Sequence, residues 1–142
     1  KSGRKDAVNF PRPMMNQKNY DFSFSGLKTS VLYYLRDNKN AKIEDVAASF
    51  QKAAFDVLIN KTFKAANEFK AKSIFVSGGV AANKTLKAEF KKAIKKSRNN
   101  LLLVVPGSKF CGDNAAMIAV AGCIKYLQKG KYKLEANGSL TI

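Results

Sequence analysis

Apolar positions recur along this chain with two different periods, and the alternation between them divides it into elements. Tyr20-Asp21-Phe22-Ser23-Phe24-Ser25 alternates aromatic and polar side chains, the period-2 pattern of a half-buried strand, and Gly26 ends it. Leu27 to Arg36 then predicts a helix with Leu27, Val31, Tyr34 and Leu35 on one face, followed by a solvated turn at Asp37-Asn38-Lys39-Asn40. From Ile43 to Lys70 the helical period is sustained longest. Ile43, Val46, Ala47, Phe50, Ala54, Val57 and Leu58 form one stripe, and Phe55, Ile59 and Phe63 form a second. A helix with two apolar stripes packs on two sides, so these phenylalanines are expected in the core.

Ser73 to Ser77 is a short β-rich run ending on Gly78-Gly79, and Leu86 to Lys96 predicts an amphipathic helix with a lysine-rich outer face. Leu101 to Val105 is a wholly apolar strand stopped by Pro106-Gly107. Asn114 to Gln128 is a last helix, whose small residues (Ala115, Ala116, Ala119, Ala121, Gly122) suit close packing on a sheet. Residues 1–19 hold Pro11 and Pro13 without periodicity and predict an extended lead-in segment. The order strand, helix, helix, strand, helix, strand, helix indicates βαβ units. It predicts an α/β fold whose mainly parallel sheet is covered by helices on both faces. With no repeats and no low-complexity linker, the 142 residues are expected to form one domain.

Composition narrows the function. No apolar run approaches the ~20 residues needed to span a bilayer, so no membrane role is expected. The opening Lys1-Ser2-Gly3-Arg4-Lys5-Asp6 has neither an initiator Met nor an apolar stretch. It is not a signal peptide, and it suggests a chain truncated upstream. Net charge is +16, from 26 basic and 10 acidic residues. Such an excess attracts polyanions, nucleic acid first among them, although the preference for Lys over Arg and the abundance of Asn are also what biased base composition produces. The chain has no His, which excludes Ser-His and Cys-His nucleophilic couples. Its two cysteines, Cys111 and Cys123, are too few for a disulfide framework and are expected as free buried thiols.

Two places lie where open α/β sheets bind ligands, just past a strand. In Ser77-Gly78-Gly79-Val80-Ala81-Ala82-Asn83 the paired glycines let the backbone approach a ligand, and the following helix offers N–H groups to a phosphate. The same residues also suit a plain strand-to-helix turn with Asn83 as N-cap. In Phe110-Cys111-Gly112-Asp113-Asn114, Asp113 either caps the last helix or offers a carboxylate to a metal or water.

Four segments in order, FPRPM (10–14), DFSFSGLKT (21–29), SGGVAAN (77–83) and FCGDNAAMIA (110–119), resemble the tRNA N6-adenosine threonylcarbamoyltransferases, once called O-sialoglycoprotein endopeptidases, in their bacterial or organellar form. The resemblance covers essentially the whole chain and implies the second lobe of an actin/Hsp70-like (ASKHA) fold. It implies transfer of the threonylcarbamoyl group from L-threonylcarbamoyladenylate to N6 of adenosine 37 in tRNAs reading ANN codons. Residue by residue, Asn83 matches the family's nucleotide-binding asparagine, Gly78 and Gly79 give close backbone approach, and Asp113 matches a ligand of a single divalent metal, iron or zinc. The other ligands, two histidines of an HxxxH motif, and the glycine-rich loop and acidic residue that hold the adenylate belong to an amino-terminal half that this sequence lacks. The implied partners are that half, tRNA, an inactive paralogue and, in bacteria, a small P-loop ATPase, in the cytoplasm or an organelle. The isolated segment is expected to be inactive.

Two other readings stand beside this one. A non-catalytic nucleotide- or tRNA-binding module, a degenerate paralogue of the same fold, would have no need of both Asn83 and Asp113. A sugar kinase or other actin-like ATPase lobe would share the glycine pair but leave FPRPM and DFSFSGLKT unexplained.

Overall fold

Residues 43–68 contain neither Gly nor Pro and place Glu44 and Asp45 in the first turn, where the helix dipole favours acids. They form the 26-residue helix around which the chain is arranged. The computed structural model describes residues 3–97 and 100–129. Within them the order is α1 (Ser25–Asp37), α2 (Ile43–Glu68), β1 (Ser73–Phe75), α3 (Lys84–Lys96), β2 (Leu102–Val104) and α4 (Ala115–Leu127). Short 3-10 turns occupy Gly79–Ala82 and Ser108–Phe110. The chain is α/β, and β1 and β2 pair in parallel with Ser73 opposite Leu102 and Phe75 opposite Val104.

As its two stripes predict, α2 packs on two sides. One side carries Phe55 and Ala66 into a cluster with Ile74 of β1, Leu86 and Phe90 of α3, and Leu101. The other carries Val46 and Ala53 against Phe10 of the lead-in segment and Leu27 of α1, with Val31, Tyr34 and Leu35 alongside. Phe10 meets the Tyr34 ring edge-on at 5.7 Å. Phe50 departs from its expected core position and stands exposed, because neither cluster reaches its side of α2.

The lead-in segment crosses α2 in a series of turns, held at successive polar positions. The Arg4 N–H donates to Asp45 Oδ1 at 2.7 Å, the Val8 N–H to Ser49 Oγ at 3.1 Å, and Arg12 Nη2 to Asp56 Oδ2 at 2.9 Å. Lys61 is the largest fully buried side chain among the described residues. Its Nζ donates to Met14 O (3.0 Å), Asn19 Oδ1 (3.2 Å) and Asp21 O (2.6 Å), and so clasps residues 14–21 onto the helix.

Four expectations differ from what the described residues show. Residues 20–24 form no strand. The Asp21 carbonyl is taken by Lys61, the Tyr20 ring packs on Phe69 at 5.4 Å, and α1 begins at Ser25, so Gly26 lies inside a helix. Among the described residues helices cover one face of the sheet. Ile74 points into the α2–α3 cluster, and Phe75 and Leu102 stand 72% and 63% exposed on the other face. Finally, α4 has no buried residue, so its small side chains pack on nothing described, and Cys123 is exposed where a buried thiol is expected. Cys111 is buried as expected.

Candidate functional site

Parallel pairing of β1 with β2 sends both candidate loops out at the same end of the sheet. Residues 77–83 follow β1 and residues 105–114 follow β2, at the carboxyl ends of adjacent strands. This is where open α/β sheets receive ligands.

The first loop turns on Gly78, whose φ of 82° and ψ of 172° fall in a region that only glycine occupies readily. A Cβ at Gly78 or Gly79 would meet nothing within 4 Å, so both backbones face open space. The 3-10 turn that follows is closed by Ala81 N–H to Gly78 O (2.9 Å) and Asn83 N–H to Val80 O (3.0 Å), and Ala81 anchors it in the core at 1% exposure. The first N–H groups of this turn, on Gly79 and Val80, have no intrahelical acceptor.

Asn83 is the N-cap of α3. Its Oδ1 accepts from the N–H of Thr85 (2.9 Å) and of Leu86 (3.1 Å), which identifies the oxygen and leaves the Nδ2 amide without a partner among the described residues. The cap thus uses the side-chain oxygen alone and leaves the amide nitrogen uncommitted. Beside Asn83 a groove of 870 Å³ opens between α2 and α3, floored by Ile43, Ala47, Phe55 and Ile59, with Lys84 and Lys92 on its rim. Lys5 also lines it, paired with Glu89 at 3.0 Å, an interaction that holds the Glu89 carboxyl below its usual range.

In the second loop the capping expectation for Asp113 is corrected. The cap of α4 is Asn114, whose Oδ1 accepts from the Met117 N–H at 3.0 Å while its Nδ2 donates to Gly112 O at 2.9 Å. Asp113 is exposed, and its carboxylate has no partner among the described residues. Cys111 ties this loop down, its thiol directed at the carbonyls of Pro106 and Gly107. Among the described residues no three His, Cys, Asp or Glu side chains gather closely enough to hold a metal ion. A lone carboxylate such as that of Asp113 does not by itself make a metal site. No described helix is long and apolar enough to cross a membrane.

Sequence reasoning identified Gly78, Gly79, Asn83 and Asp113 but passed over Lys61. Its signal was position: three residues after Leu58 and four after Val57, it stands where the apolar stripe of α2 calls for its next member.

Residues 1–120 match the family model described as tRNA N6-adenosine threonylcarbamoyltransferase. Curated proteins of that name resemble the chain over most of its length. The one from Thermosipho africanus is 50% identical over 132 residues, covering 92% of this chain and 39% of the relative. That from Halalkalibacterium halodurans is 44% identical over 137 residues (94% and 39%), and that from Listeria welshimeri 41% over 143 residues (96% and 42%). The chain spans about two fifths of the length of these relatives. On sequence match, it belongs to the tRNA N6-adenosine threonylcarbamoyltransferase family.

Proposed function

We propose that this segment is the second, actin/Hsp70-like (ASKHA) lobe of an enzyme that transfers the threonylcarbamoyl group from L-threonylcarbamoyladenylate to N6 of adenosine 37 in ANN-decoding tRNAs. One observation carries the reading. The two family motifs leave adjacent parallel strands at the same end, and each presents a polar group, Asn83 Nδ2 and the Asp113 carboxylate, that the fold does not use. In this role Gly78 and Gly79 let the adenylate approach the backbone. Asn83 Nδ2 donates a hydrogen bond that orients it. Asp113 supplies one oxygen to a divalent ion, iron or zinc, whose remaining ligands come from the amino-terminal half. When bound, such an ion polarises the carbamoyl carbonyl as a Lewis acid.

Partners follow from the same reading. The amino-terminal half covers the open face of the sheet and the exposed apolar side chains of α4, notably Ile118, Val120 and Leu127. A helix so apolar on every side belongs in an interior. The acceptor is tRNA, and an inactive paralogue and a small P-loop ATPase complete the assembly in bacteria. The compartment is the cytoplasm or an organelle.

Substitution at Asn83 in the complete protein tests the reading, because it can separate the two roles. Serine caps helices as well as asparagine does but cannot reach outward with an amide. Asn83→Ser should fold with near-parental stability and bind adenylate, assayed by calorimetry with AMP, more weakly by about 1–3 kcal/mol, roughly five- to 150-fold. Asn83→Ala should lose both affinity and the cap. Parental AMP affinity in a folded Asn83→Ser protein would confine Asn83 to capping.

A further inference from the structure

The glycine turn and the Asp113 loop leave the most heavily charged element of the fold unaccounted for. Over 13 residues α3 carries six lysines and one acid, Glu89, which is engaged by Lys5 from the lead-in segment. Leu86 and Phe90 face the core, and at helical spacing Lys84, Lys87, Lys91 and Lys95 follow one another along one flank of the helix, Lys87 half-buried and the other three exposed. None of these four makes an ion pair among the described residues. The cations of α2 are differently placed: Lys52 pairs with Asp56, and Lys61 and Lys64 are spent on main-chain carbonyls.

We propose that this face of α3 is a track for the phosphate backbone of tRNA. The inference rests on the transferase reading and adds to it the surface that holds the acceptor. From Lys84 to Lys95 is eleven residues, roughly 16 Å of helix at about 1.5 Å each, a straight ridge along which successive phosphates can lie. Its near end is fixed by the chain itself, because Lys84 directly follows Asn83. A strand lying along the ridge is thereby led to the turn where the adenylate is placed.

The electrostatics of the helix agree. Lys87, Lys91 and Lys95 repeat at i, i+4, a like-charge spacing that destabilises an isolated helix. Lys84 occupies the first position of a helix whose first turn holds no acid, the reverse of what the dipole favours. The Asn83 cap and the place of Lys95 in the last turn offset part of this, but no carboxylate among the described residues pairs with any of the four lysines, whereas a polyanion laid on this face offsets both effects. The neighbouring rim lysine, Lys92 of α3, widens the positive field beside the groove.

The test uses the complete protein with the subunits its activity requires, and an unmodified tRNA transcript as probe. The variant Lys84→Gln/Lys87→Gln/Lys91→Gln/Lys95→Gln keeps helix propensity, since Gln and Lys are near-equal helix formers. A control removes the same charge elsewhere, as Lys39→Gln/Lys42→Gln/Lys70→Gln/Lys72→Gln. Each phosphate contact contributes roughly 0.7–0.9 to the slope of log K against log salt. The α3 variant should therefore lose about 3 from that slope and bind tRNA on the order of a hundredfold more weakly near physiological salt. The control should change the slope by less than about 1, and the corresponding four-arginine variant of α3 should bind as the parent does. Equal losses in both glutamine variants would show a diffuse charge effect and overturn the track. So would a parental slope in the α3 variant. Absence of tRNA binding by the parent protein would instead overturn the transferase reading itself, while AMP binding tests the nucleotide turn separately.

Discussion

Replacing Lys61 by methionine removes three hydrogen bonds while keeping most of the side-chain volume. The buried Nζ has three hydrogens, and Met14 O, Asn19 Oδ1 and Asp21 O accept all of them, with the Phe22 ring 5.9 Å away. All three acceptors are neutral, and no carboxylate pairs with Lys61. Two effects oppose each other in Lys61→Met. Exchanging a buried ion for an apolar group can stabilise a protein when both partners are replaced. Here the acceptors remain, and each that stays buried without a donor costs about 1–3 kcal/mol. Part of that cost disappears if residues 14–21 swing into water, but then the Tyr20–Phe69 contact and the lead into α1 are lost as well. The net loss should be about 2–4 kcal/mol. The comparison is Lys64→Met. Lys64 donates to Gln17 O and Lys18 O at the surface, so its loss should cost under about 1 kcal/mol. Urea unfolding reads the magnitude, and amide hydrogen exchange over residues 14–22 reads the location. If Lys61→Met proves as stable as Lys64→Met, with exchange of 14–22 unchanged, the buried ammonium is not a clasp.

Four further outcomes are expected. Burial raises the Asp56 carboxyl, but hydrogen bonds from Lys52 and Arg12 outweigh it and hold the group below its usual range. A lowered folded-state pKa gives stability that is present above the unfolded value near 4 and lost as pH falls through the folded one. Asp56→Asn should thus cost on the order of 1–2 kcal/mol at pH 7 and much less at pH 3 by urea unfolding, and an equal cost at both would refute the pairing. Gly78→Ala should destabilise by about 1–3 kcal/mol through backbone strain alone, Gly79→Ala by less, since only Gly78 has positive φ and neither Cβ meets a neighbour. Asp113→Ala should leave α4 intact, whereas Asn114→Ala should cost about 1 kcal/mol. The isolated segment should retain no metal after dialysis, and stoichiometric retention would show that Asp113 does not depend on ligands from elsewhere.

The parts of the fold legible in the sequence are those governed by local period. The two stripes of α2 predicted two-sided packing because apolar spacing on a helix maps directly onto faces, and Asn83 was readable as a cap because the strand-to-helix junction fixes its position. Residues 20–25 misled for the opposite reason. Alternating aromatics describe a half-buried surface, but a strand exists only with a partner, and here the Asp21 carbonyl was claimed by Lys61, 40 residues away. Of the two readings open for Asp113, the cap falls to its neighbour Asn114, a shift of one residue that no propensity could settle and that leaves the carboxylate unengaged. Lys61 broke the rule that charge leaves the core, and the lysine ridge of α3 was visible as composition but not as a set of unpaired cations until Glu89 was seen to be occupied by Lys5.

The two halves of the candidate site differ in how firmly the chain holds them, and that difference bears on how it works. The glycine turn sits between Ala81 at 1% and Leu86 at 2% exposure, and is closed by main-chain hydrogen bonds and the Asn83 cap. It is rigid before any ligand arrives, so orienting a nucleotide there costs little ordering entropy. The Asp113 loop depends on one buried side chain, Cys111, and the helix after it buries nothing. Few buried contacts mean a low local opening free energy. An exposed carboxylate on such a loop is not held to the geometry that a metal demands, and a covering surface that packs on α4 would impose it. On the function proposed above, the nucleotide half would be built into this segment. The metal half would be completed only when the apolar faces of α4 and the sheet are covered, which would link assembly of the protein to formation of its active centre.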